Sequence, residues 1–380
     1  MIEPICLNLN TQFNHSFNAA RQYFLDTLAK LGTTAENNPT YSHSTILHPQ
    51  LGPEQEPLAT DIVWLGPKNS RQVLVVISGT HGIEGYAGSA IQSFLLNQFV
   101  STQLNLPDNM ALLFIHALNP WGMAWHRRCD EQGIDLNRNF IDFSQPLPEH
   151  RHYEKIRPWM FEANHLLRQQ ALNLQASELG QRCFEQALSG GQYQDPLAPF
   201  FGGQQSSFGR QTIETVMTEF QLATKELLVL DLHTGLGPWA YGELICDHPL
   251  DSPQEHFAQT LFGAAINVPA RGTSTSVPKH GLLDYAWHAI MTAQHQRSCF
   301  LTLEFGTYST SDLFNTLIDE HILWANSHNK HSTAAQQLTH QHSRKPMLDH
   351  FYPQDRHWQQ ALLFKAKQVS EQILSQWKPC

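Results

Sequence analysis

Apolar and polar positions divide this chain into short buried strands and amphipathic helices. Phe17, Tyr23, Phe24, Leu25 and Leu28 recur at helical spacing over residues 15–32, and Gly32 stops the pattern. A polar stretch rich in Asn, Pro and Ser follows to residue 57 and carries no predicted element. Three short apolar runs come next: Asp61–Leu65, Val73–Ser78 and Ala111–His116. The second and third lack polar alternation, as strands buried on both faces do. Between them Ala87–Val100 reads as a helix, so strand, glycine-rich turn, helix and strand form a crossover unit of an α/β sheet. Residues 151–225 are mainly helical, with a Gly- and Pro-rich break from Ser189 to Gly209. Two further buried strands, Glu226–Leu232 and Cys299–Glu304, precede a final amphipathic helix from Arg356 to Trp377. The expected fold class is α/β: a mixed, largely parallel sheet flanked by helices. No repeat or long linker divides the chain, so a single domain over 1–380 is expected, with a mainly helical insertion around 151–225.

Charge and cysteine usage narrow the function classes. The net charge of −10 and the lack of clustered Lys and Arg argue against a nucleic-acid partner. The six cysteines are far apart with no CxxC pair, which fits a reducing compartment better than a disulfide framework. The N-terminal MIEPICLNLN has neither a basic start nor an apolar core, so no secretory signal is expected. No apolar run approaches the ~20 residues that span a bilayer. These readings predict a cytoplasmic protein that does not engage membranes.

Four chemistry-bearing segments follow predicted strands, where ligands of open α/β sheets bind. In Ser78-Gly79-Thr80-His81-Gly82-Ile83-Glu84-Gly85, an imidazole and a carboxylate three residues apart suit a divalent metal, chiefly zinc. Glu84 would equally suit a helix entry. Leu228-Val229-Leu230-Asp231-Leu232-His233-Thr234-Gly235 ends in a third candidate ligand, His233, with Asp231 able to orient a ligand or to be purely structural. Two His, one Glu and an open fourth position form a catalytic zinc arrangement. The segment from Arg127 and Arg128 to Asp135-Leu136-Asn137-Arg138-Asn139-Phe140 offers guanidinium groups that clamp a carboxylate or steady an oxyanion, unless it is a solvated basic turn. Glu304, closing the apolar run in Thr302-Leu303-Glu304-Phe305-Gly306-Thr307, is costly to bury unpartnered and suits a general base, or the partner of an arginine.

Together, in this order over residues 73 to 306, these segments resemble the zinc carboxypeptidase superfamily of metallopeptidases. SGTHGIEG, LDLHTG and TLEFGT look similar to a bacterial branch between carboxypeptidases and the aspartoacylase and succinylglutamate desuccinylase deacylases. The resemblance implies zinc held by His81, Glu84 and His233, and Glu304 as base and later proton donor. It also implies Arg128, rather than Arg127, at the scissile carbonyl, and Asn137 and Arg138 on the substrate carboxylate. The implied function is a zinc-dependent hydrolase cleaving a peptide or amide bond next to a carboxylate-bearing residue. Its substrate would be a small peptide or an N-acyl amino acid. One departure is the mobile tyrosine of digestive carboxypeptidases, which has no match in Ser276–Tyr285. That absence keeps an N-acyl amino acid deacylase open. Leu283 would fall near the side-chain pocket and implies an apolar preference.

Other readings carry less. Ser78 and Ser89 lie among glycines, but neither sits in the GxSxG elbow of a serine hydrolase. A zinc-bearing binding module without activity would be expected to lack the base or the oxyanion arginine, whereas Glu304 and Arg128 are present. His321, His328, His331, His340, His342 and His350 meet no standard metal spacing and read as a solvated loop or helix face.

Overall fold

The computed structural model describes residues 12–31, 41–149, 152–162, 164–291, 297–328 and 344–378. In chain order these form α1 (Phe17–Leu31), β1 (Tyr41–Leu51), β2 (Pro57–Leu65), β3 (Gln72–Ser78), α2 (Gly85–Val100), β4 (Met110–His116) and α3 (Pro120–Ala124). Four helices follow: α4 (Tyr153–Met160), α5 (His165–Leu179), α6 (Gln181–Ser189) and α7 (Phe208–Glu219). The second half contains β5 (Glu226–Gly235), β6 (Gly242–Ile245), α8 (Pro253–Phe262), β7 (Ile266–Asn267), α9 (Asp284–Ile290) and β8 (Cys299–Gly306). It closes with α10 (Thr310–His328), α11 (Lys345–Phe351) and α12 (Arg356–Gln376).

One eight-stranded sheet runs in the order β1-β2-β4-β3-β5-β8-β6-β7. Its centre, β4-β3-β5-β8, is parallel, while β1, β2 and β6 pair antiparallel with their inner neighbours. Every residue of β3 and β4 is buried, which explains their unbroken apolar runs. Successive side chains go to opposite faces: Leu74 and Val76 join the core under α2 and α12, while Val73, Val75 and Ile77 join the core under α7 and α9. A third cluster joins α4, α5 and α6, with Tyr153, Ile156, Phe184 and Leu188 packing on Ile318 of α10.

One sequence expectation needs correction. Residues 41–51, within the stretch read as carrying no element, form the edge strand β1. Only His48 of its eleven residues is buried, so the apolar signal that marks an inner strand is missing. The described cysteines Cys129, Cys183, Cys246 and Cys299 are free thiols. No helix among the described residues is long and apolar enough to cross a membrane.

Parallel pairing brings the carboxyl ends of β3, β4, β5 and β8 to one margin of the sheet. The turn after β3, the arginine segment after β4, His233 on β5 and Glu304 on β8 therefore meet there. His233 and Glu304 are register partners, so their side chains share one face.

Candidate metal centre

The glycine-rich turn after β3 is shaped by contact with the segment after β4. A Cβ on Gly82 would lie 2.2 Å from the Gly122 carbonyl carbon. Gly82 N donates to Arg128 O at 3.0 Å and Ile83 N to Arg127 O at 2.8 Å. The two loops thus interlock through backbone alone, fixing His81 and Glu84 against the arginines.

His81, Glu84 and His233 bring one donor atom each to within 4.8 Å of one another, and all three are buried. His81 Nδ1 lies 2.8 Å from Glu84 Oε1. His233 Nδ1 lies 3.0 Å from Glu84 Oε2 and 3.1 Å from His81 Nδ1. Each imidazole turns its other nitrogen to an acid. His233 Nε2 contacts Asp231 Oδ2 at 2.6 Å. His81 Nε2 faces Asp135 Oδ1 at 3.3 Å, off hydrogen-bond alignment. With the protons at Nε2, two Nδ1 lone pairs and a carboxylate converge, an arrangement that repels itself unless a cation or an added proton sits among them. Two imidazole nitrogens with backing acids and a carboxylate are a donor set that fits zinc.

Supporting bonds hold these groups still. Thr80 Oγ1 donates to Asp231 Oδ1 at 2.7 Å, and Thr234 N donates to Glu84 Oε2 at 3.0 Å. Burial opposes the charge on Glu84, but His81 and His233 hold its carboxyl well below the usual range. Burial likewise opposes charge on His233, yet Asp231 and Glu84 keep that imidazole well above its ordinary value. Asp135 joins the centre to the arginine segment: it accepts from Arg128 Nε at 2.9 Å and caps Asn137 N at 3.0 Å. Burial works against its ionisation, while Arg128, Arg138 and His81 keep it well below the carboxylate range.

One cavity is lined by the three candidate ligands and by Arg128, Asn137, Arg138 and Glu304. Arg128 Nη1 donates to Glu84 Oε1 at 3.3 Å. Asn137 Oδ1 accepts from Leu283 N at 2.7 Å. Arg138 is fully buried and gives Nε and Nη2 to Ser189 O at 3.1 and 2.7 Å. Glu304 Oε1 accepts from Leu236 N at 3.1 Å, and burial followed by the Glu84 charge pushes its carboxyl up to about 7. Arg127 lies apart, its Nε on Glu320 Oε1 at 2.5 Å and its guanidinium over Trp324.

Several sequence expectations change here. Leu283 is buried in the core behind the cavity and does not line it; Leu282 does. His321 and His350 are buried rather than solvated, and His328, His331, His340 and His342 lie outside the residues whose side chains are described. Ser78 Oγ is spent on Gln92, and Ser89 Oγ meets His116 Nε2 in the closed core, away from the cavity. The sequence reading missed Asp135, Lys279, Asp247 and Asp284. Lys279 lines the cavity, bonded through Nζ to Ser276 Oγ and Val277 O, and burial followed by the Arg138 charge brings it down to about 7. Its only sequence signal was its place in the stretch where a tyrosine was sought.

Sheet order and strand-end site define an α/β protein with a candidate two-histidine, one-glutamate centre. The chain belongs to the family described as "Protein of unknown function (DUF2817)", whose model matches residues 13–365. Among solved structures, thrombin activatable fibrinolysis inhibitor is similar with a TM-score of 0.50 and 11% identity, over 99% of this chain and 78% of that one. Carboxypeptidase A from Helicoverpa armigera follows with 0.47 and 12%, over 88% and 74% of the two chains. Succinylglutamate desuccinylase from Chromobacterium violaceum gives 0.35 and 15%, over 80% and 74%. No curated protein matches the sequence significantly.

Proposed function

We propose that this protein is a zinc-dependent hydrolase that cleaves a peptide or amide bond next to a carboxylate-bearing residue, acting on a small peptide or an N-acyl amino acid in the cytoplasm. The observation that carries this reading is the convergence of His81, Glu84 and His233 in the cavity that Glu304 also lines. Zinc, held by those three residues, would supply a Lewis acid that acidifies water and polarises a carbonyl.

The chain's own groups then divide the work. Glu304, with a carboxyl brought near neutrality, accepts a proton from the attacking water and returns it to the leaving amine. Arg128, steadied by Asp135 and Glu84, faces the carbonyl oxygen and offsets the charge that grows there. Asn137 and Arg138 line the same cavity and orient the substrate carboxylate.

The test combines metal analysis of the purified chain with a screen of dipeptides and N-acyl amino acids, with and without chelator. Hydrolysis is expected to stop on chelation and return with zinc. Glu304→Gln is expected to keep about one zinc per chain while the rate falls by roughly 10²–10⁴. A normal rate in that variant removes Glu304 from the chemistry, and activity indifferent to chelation removes the metal. Turnover of N-acyl amino acids alone assigns the protein to the deacylases.

A further inference from the structure

Residues 272–283 form neither helix nor strand, yet Thr275, Ser276, Val277 and Lys279 line the cavity that holds the candidate metal centre. A segment without a backbone ladder keeps its place through other bonds. Its far end is tied by backbone: His280 N donates to Gly190 O at 2.9 Å, and Gly281 O accepts from Phe140 N at 3.1 Å. Its middle is held by Glu243 of β6. Glu243 is the register partner of Glu304 and is 2% exposed. A carboxylate so deeply buried is costly unless donors surround it, and two neighbouring loop residues supply them. Glu243 Oε1 accepts from Ser274 Oγ at 2.7 Å and from Thr275 N at 3.2 Å, while Oε2 accepts from Thr275 Oγ1.

The bonds continue from Glu243 toward the cavity. Ser274 Oγ accepts from Ser276 N at 3.0 Å, and Ser276 Oγ accepts from Lys279 Nζ. Val277 O accepts from the same ammonium at 3.1 Å. An ammonium has three N–H donors, so these two bonds leave one for whatever occupies the cavity. Arg138 lines the same cavity and is the foremost charge that Lys279 feels. It gives Nε and Nη2 to Ser189 O and Nη1 to Asn137 O, so its guanidinium largely serves backbone. Two neighbouring cations repel each other unless an anion lies between them. Under the proposed function that anion is the carboxylate of the substrate.

We propose that Lys279 is a further substrate-contacting residue, donating to the carboxylate beside Arg138, and that Glu243 is the positioning residue that holds its ammonium there. That the anion belongs to a substrate rests on the proposed function; the linkage from Glu243 to Lys279 stands without it.

The experiment is calorimetric titration of the zinc-loaded full chain with L-leucine and with L-leucinamide, which lacks the carboxylate. Leucine is expected to bind about tenfold or more tightly than leucinamide. Lys279→Met is expected to lower leucine affinity about tenfold and to leave leucinamide binding unchanged. Glu243→Ala is expected to reproduce that loss and Ser274→Ala part of it, while Glu243→Gln, which keeps an acceptor oxygen, restores most of it. The double variant Glu243→Ala, Lys279→Met is expected to bind leucine no more weakly than Lys279→Met, since one residue acts through the other. Full leucine affinity in Lys279→Met overturns the contact, and additive losses in the double variant overturn the positioning role. Substrates from the hydrolase screen are assayed in parallel, where a raised KM with kcat kept marks lost binding. Turnover that ignores Lys279→Met upholds the hydrolase and overturns the contact. Leucine selectivity that depends on Lys279, without turnover of any substrate, upholds the contact and removes the hydrolase reading.

Discussion

At the candidate metal centre His233 offers whichever nitrogen is free of a proton, and Asp231 decides which one that is. The 2.6 Å contact at Nε2 keeps the proton there and leaves Nδ1 aimed at His81 and Glu84. Asp231→Asn is expected to weaken zinc binding by about 10–100-fold, read by competition with a chromophoric chelator; unchanged affinity would assign Asp231 to structure alone. Asp231 was visible in the sequence because it precedes His233 by two on one strand. Asp135 was not, although it does the same for His81, because only the fold brings the arginine segment against the turn after β3. Asp247, Lys279 and Asp284 escaped for a related reason. Their significance lies in lining one cavity, and no spacing along the chain encodes that.

Elements that lie wholly in the core were legible, and those on its margin were not. β3, β4, β5 and β8 read as strands because burial on both faces demands uninterrupted apolar runs. β1 pairs through its backbone while its side chains face water, and β7 has two residues, too few for any period. α10 supports the site from outside the motifs. Its Glu320 accepts from both Arg127 Nε and Arg344 Nε, at 2.5 and 3.0 Å, all within the interior. Because Arg127 O also holds Ile83 N, this pairing braces the turn that bears His81 and Glu84. Glu320→Gln leaves two buried cations short of a counter-charge and is expected to cost about 3–5 kcal/mol of stability, measured by denaturant unfolding. A loss below about 1 kcal/mol would place the pairing with ordinary surface bridges.

For the whole molecule, histidine burial sets the response to acid. Burial brings His116, His288, His321 and His350 down to about 4, and His248 to about 2. An unfolded chain protonates its histidines below ~6.5, so between about 6.5 and 4 the native state binds fewer protons and loses stability as pH falls. Asp130, Asp284 and Glu304, which burial pushes up, act in the opposite sense and offset part of that loss. The unfolding temperature is expected to drop from about pH 7 to about pH 5, and a flat profile would mean that the raised carboxyls offset the histidines in full. The sheet as a whole ends on β1, the terminal strand in its order, whose register with β2 shifts between Leu47 and Leu51 and which contains Pro49. A stray strand zipping onto that margin would find a matching ladder only as far as Leu47, then a kink and a missing amide. The same irregularity discourages one copy from templating the next into a fibre.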